Sequence, residues 1–117
     1  MRINTNESRV VIDVDGTLIC RFDSEQHALG QSILMNYYGN PEIKVPMNEN
    51  INLLKAQKAR GYEVIVHSAN GFAWAKEVVE KLGLQEYVDE VATKPLKYMD
   101  DLPADEWMQR VFIPENE

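Results

Sequence analysis

The sequence predicts an α/β domain with a mostly parallel sheet of about five strands flanked by helices. Three observations predict it. Short apolar runs alternate along the chain with segments of helical periodicity. Two of those runs, "RVVIDV" at 9–14 and "YEVIVHS" at 62–68, lack the polar alternation of a half-solvated strand and suit strands covered on both faces. A chain of 117 residues, 44% hydrophobic, with no repeat, low-complexity tract or linker rich in Gly, Ser or Pro, suits one compact domain spanning 1–117.

The elements follow in order. Residues 9–14 read as a buried strand. Residues 24–38 predict a helix that Asp23 could cap, with Leu29, Ile33, Leu34 and Tyr37 at helical spacing. Residues 39–48 carry one Gly and two Pro and read as loop or edge hairpin. Residues 49–60 predict a helix capped by Asn48, with Ile51, Leu53 and Leu54 inward and a stop at Gly61. The strand 62–68 comes next. "NGFAWAKEVVEKLG" predicts a helix whose inner face is Phe72, Ala75, Val78, Val79 and Leu82, ended by Gly83. "EVAT" at 90–93 is a short strand, and two more are expected around "KYMDD" and "RVFI".

Composition narrows the function classes. No stretch reaches the roughly 18 apolar residues of a membrane span, and "MRINTNESR" has no secretory h-region, so the default setting is cytoplasmic. The net charge of −7 comes without a cluster of Lys and Arg, which argues against non-specific nucleic-acid binding. The single cysteine, Cys20, cannot form an internal disulfide or a thiolate metal site by itself and suits packing.

In a parallel α/β sheet, ligands sit beyond the carboxyl ends of the strands. Asp13 and Asp15 lie at one such end, Ser68 at a second, Lys94 after a third, and Asp100–Asp101 after an expected fourth. Two carboxylates one residue apart repel each other, and a hard cation relieves them. Mg²⁺ takes oxygen ligands, usually one or two carboxylates plus a substrate phosphate. Asp13 with Asp100 or Asp101 could supply the carboxylates. Asp13 and Asp15 are not both expected to bind directly: if Asp15 turns away, its backbone carbonyl can bind the metal while its side chain handles protons. Gly16 allows a sharp turn, and Thr17 can fix it. A carboxylate beside a cation can attack phosphorus to form an aspartyl-phosphate. Lys94, Ser68 and the N–H groups of Ala69 and Asn70 then supply charge and donors to the phosphoryl oxygens.

These residues stand in a recognisable order. "DVDGT" resembles motif I of the haloacid dehalogenase-like phosphohydrolase superfamily. "VIVHS" is similar to its motif II, "TKP" to motif III and "YMDD" to motif IV, in that order from about residue 9 to 113. The resemblance implies that Asp13 is the nucleophile and Asp15 the general acid/base, that Ser68 and Lys94 hold the phosphoryl group, and that Asp100 and Asp101 complete the Mg²⁺ site. It also implies a Rossmann-like sheet with motif I on the central strand, and a capless member, because residues 18–48 leave room for a squiggle and flap but no full cap. The segment "KPLKYMDDLPADEWM" resembles small capless proteins, several from bacteriophages.

The expected activity is a Mg²⁺-dependent phosphomonoesterase, monomeric or a small homo-oligomer, acting on a phosphorylated small molecule or a nucleic-acid end. Two alternatives stand beside it: a phosphotransferase, and a phosphate- and Mg²⁺-binding regulatory protein with little turnover. A basic groove of Arg2, Arg9, Arg21 and Lys44 would favour nucleic acid. His67 is expected to point away from Ser68 and to pack, and His27 to lie at the surface. Trp74 and Trp107 are expected in the core or against helices, and Arg21 and Asn70 are candidates for touching substrate.

Overall fold

A computed structural model describes residues 8–22 and 31–111. Six strands and two helices follow one another: β1 (Arg9–Asp13), β2 (Ile19–Arg21), β3 (Ile33–Tyr37), β4 (Asn40–Pro46), α1 (Asn48–Ala59), β5 (Glu63–Ser68), α2 (Phe72–Lys81) and β6 (Glu90–Thr93). The α/β class is as expected. The strands form two sheets, one parallel in the order β1-β5-β6 and one antiparallel in the order β2-β4-β3. Among the described residues the parallel sheet therefore has three strands, fewer than the sequence predicts.

The order β1-β5-β6 means that both crossovers step the same way. Right-handed crossovers then lay α1 and α2 on one face. The core agrees. Val10, Ile12, Val14, Val64, Val66 and Val91 pack with Ile51 and Leu54 of α1 and with Trp74, Ala75, Val78 and Val79 of α2. Register places Arg9, Val11 and Asp13 opposite Glu63, Ile65 and His67, and side chains matched in this way share the other face. No helix covers that face among the described residues: Val11 is 44% exposed there, and Arg9 pairs with Glu63 and Glu90.

Four expectations are corrected. Residues 33–37 are a strand, not the end of a helix; the rest of that predicted helix, 23–30 with His27 and Leu29, lies outside the described residues. An Ile-Leu-Met run fits both periods, and the two-residue turn at Tyr38–Gly39, closed by the Tyr37–Asn40 pair, decides for a hairpin. "KYMDD" forms no strand: Asp100 accepts the Leu102 N–H in a local turn, and the stretch is exposed. No strand forms at Arg110–Val111, while 112–113 lie outside the described residues. Finally, α1 starts at Asn48 without a side-chain cap, and Leu53 and Phe72 face solvent instead of the core.

No helix among the described residues is long and apolar enough to cross a membrane.

Candidate functional site

The three parallel strands end at one edge, and the turns leaving them carry the chemistry. After β1, a single acceptor organises the chain. The Val14 carbonyl receives the N–H groups of Thr17, Leu18 and Ile19 at 3.1, 2.8 and 3.2 Å, and Gly16 N–H donates to the Ile19 carbonyl at 2.8 Å. Gly16 has φ of +84°, which a residue with a Cβ adopts only with strain. Val14, Leu18 and Ile19 are buried and anchor the turn, so Asp15 and Gly16 are held outward. From α1, the buried Asn50 donates its side-chain amide to the Thr17 carbonyl at 2.9 Å. Its Oδ1 has no partner among the described residues.

Asp15 is held by three donors. Ser68 Oγ and Asn70 Nδ2 reach its Oδ2 at 3.0 and 3.2 Å, and Trp74 Nε1 reaches its Oδ1 at 3.2 Å. Ser68 is fully buried. It gives its one proton to Asp15 and accepts the Asn70 N–H at 3.0 Å, so its hydroxyl acts here on Asp15. Ala69 lies exposed in the same turn. Helix α2 begins after Gly71, and its Phe72 N–H is accepted by Thr93 Oγ1 of β6 at 3.0 Å. That bond ties the helix start to the third strand end.

Asp13 faces the helix-free side of the sheet. Lys94, whose N–H donates to the Ser68 carbonyl at 2.9 Å, brings its ammonium within 3.7 Å of Asp13 Oδ1. Thr17 Oγ1 lies 3.5 Å from Asp13 Oδ2, a long contact. His67 points away from Ser68, and thereby toward its register partner Asp13. Burial pushes its imidazole below the usual range, Lys94 pushes the same way, and Asp13 opposes both.

Asp13, Asp15, Thr17, Ser68, Asn70 and Lys94 are thus brought together. Asp100 and Asp101 are not: both are exposed in the segment beyond β6, and among the described residues no three His, Cys, Asp or Glu groups converge to hold a metal ion. The donors that fit a hard cation are the Asp13 carboxylate and the Asp15 carbonyl, which accepts none of the turn's backbone hydrogen bonds. The Asp15 carboxylate is already occupied by its three donors.

The sequence reading missed Trp74, expected only to pack. A buried indole seeks an acceptor for its N–H, and one helical turn after "SAN" the nearest is Asp15. It also missed Asn50, a polar residue between the apolar positions of α1. Of the expected basic groove, Arg21 stands opposite Lys44 across β2 and β4, while Arg9 pairs with Glu63 and Glu90 and Lys44 with Glu42; Arg2 lies outside the described residues. Trp107 closes the short 3-10 turn at Ala104–Glu106 and packs edge-on against Tyr98. No family model, no curated protein and no solved structure matches this chain.

Proposed function

We propose that the chain is a Mg²⁺-dependent phosphomonoesterase of the haloacid dehalogenase-like type, working through an aspartyl-phosphate on Asp13. One observation carries the reading: Asp13 stands beside the Lys94 ammonium at the strand edge, while Asp15, two residues on, is held apart by Ser68, Asn70 and Trp74. The two carboxylates have different surroundings, as a nucleophile and a proton carrier require.

An Asp13 oxygen attacks phosphorus, and the bond to the ester oxygen breaks. Asp15, steered by its three donors, delivers the proton to the departing alcohol. Water then attacks the acyl phosphate, with Asp15 taking its proton, and phosphate leaves. Lys94 and the Ala69 N–H offset the charge on the phosphoryl oxygens. Asp13 and the Asp15 carbonyl would hold Mg²⁺, and the ion would neutralise phosphoryl charge.

Phosphate release from an aryl phosphate tests this with Mg²⁺, with EDTA, and with Asp13→Asn. The expected result is release that EDTA abolishes and that Asp13→Asn lowers by about 1,000-fold or more. Release that survives Asp13→Asn would refute the mechanism.

A further inference from the structure

The hairpin joining β3 to β4 carries a feature that the phosphoryl chemistry does not use. Its turn consists of Tyr38 and Gly39, both at positive φ, +49° and +85°, as a type I′ turn requires. The first position of such a turn favours Asn, Asp or Gly, and a bulky residue there is strained. Tyr38 is nevertheless 83% exposed, so core packing does not explain it.

Its ring leads back to the site. Tyr38 meets Tyr37 edge-on at 4.6 Å between centroids, Tyr37 meets Trp74 edge-on at 5.6 Å, and the Trp74 indole is bonded to Asp15. The ladder therefore starts at the proton-carrying carboxylate and ends on an aromatic ring open to solvent. Trp74 itself is buried and offers no free face.

We propose that Tyr38 is a specificity residue that stacks on the base of a nucleoside phosphate whose phosphoryl group lies at Asp13. This rests on the phosphoesterase reading for the position of the phosphate. A nucleobase fits because every base has a flat π-face, and stacking needs no hydrogen-bonding partner on the protein. A sugar phosphate would leave the ring unused. The acidic chain and the paired state of Arg9 and Lys44 favour a mononucleotide over a long polyanion.

The test is direct binding, read by calorimetry with Mg²⁺ in the Asp13→Asn protein, which cannot consume its ligand by this mechanism. AMP is compared with ribose 5-phosphate. The expected result is about tenfold tighter binding of AMP, a preference kept by Tyr38→Phe and lost in Tyr38→Asn. Asn suits the turn, so that variant is expected to melt no lower than the parent, which excludes misfolding as the cause. A 5′-phosphorylated trinucleotide that binds more tightly than AMP would assign the base to a nucleic-acid end; equal or weaker binding would assign it to a free nucleotide. Equal affinity for AMP and ribose 5-phosphate, or no binding of AMP, overturns the proposal. A preference for AMP in a protein whose wild type releases no phosphate from AMP overturns the catalytic reading and leaves the stacking role standing.

Discussion

The two faces of the parallel sheet differ in what they do. One is the interior: Val10, Ile12, Val64, Val66 and Val91 lie under α1 and α2. The other carries Arg9, Glu63 and Glu90 as an ion-paired row, then Val11 and Ile65, then Asp13 and His67 at the carboxyl edge. The difference follows from strand order. Two crossovers stepping the same way put both helices on one side, which leaves the second side free for charged groups. Asp13 and Lys94 stand on that side, while Ser68 and Trp74 reach Asp15 from the packed side. The site straddles the edge, with Asp13 on the open face and Asp15 braced by the core.

The sharpest way to break this comparison is one methyl-for-methyl experiment on each face. Val66→Ala removes fully buried atoms and is expected to cost about 2–3 kcal/mol in urea unfolding. Val11→Ala, one position away in register on the neighbouring strand and so facing the other way, is expected to cost about 1 kcal/mol or less. Equal costs would mean that something covers the open face in solution.

A smaller effect sharpens the role of the packed side. Trp74→Phe keeps an aromatic ring against Tyr37 but removes the N–H that holds Asp15 Oδ1. The expected result is a fall in kcat of about tenfold with KM little changed, alongside a lower melting temperature from the lost indole volume. A rise in KM alone would place Trp74 in substrate binding instead.

The smallest effect is at the opposite edge. Asp89 accepts Lys58 Nζ of α1 at 2.8 Å and the Val64 N–H of β5 at 2.8 Å. Lys58 first and the backbone N–H second hold its carboxyl below the usual range. A depressed native pKa adds stability that is complete above the unfolded value, near 4, and is lost as pH falls through the native one. Wild type is therefore expected to lose stability more steeply than Asp89→Asn as pH drops from about 4 to 2, measured by denaturant midpoints at each pH. Parallel slopes would contradict the pairing.

Much of the frame was legible in the sequence because burial writes itself into apolar runs. "RVVID", "EVIVHS" and "EVAT" fall where strands are found, and the meeting of Asp13, Asp15, Ser68 and Lys94 at one edge follows from parallel strands alone. What was illegible has two physical origins. Ile33, Leu34 and Tyr37 satisfy a helical spacing, yet Ile33, Met35 and Tyr37 also alternate inward, and only the Tyr-Gly turn separates the two. The second origin is polar: the bonds of Trp74 to Asp15 and of Asn50 to the Thr17 carbonyl join positions 59 and 33 residues apart, and no local pattern marks such partners. The expected strand at "KYMDD" had apolar letters, but among the described residues neither it nor Arg110–Val111 pairs with a neighbouring strand.

The antiparallel sheet has a consequence for engineering. Its tip, Tyr38–Gly39, is closed by the Tyr37–Asn40 pair and shares no strand pairing with β1, β5 or β6. Sequence and length at the Tyr38–Gly39 turn can therefore be randomised, or a recognition loop grafted there, while Tyr37 stays against Trp74 and Asp13, Asp15 and Lys94 keep their supports. The hairpin tip is the natural position from which to retarget this scaffold by directed evolution, with Asp13 and Asp15 held constant.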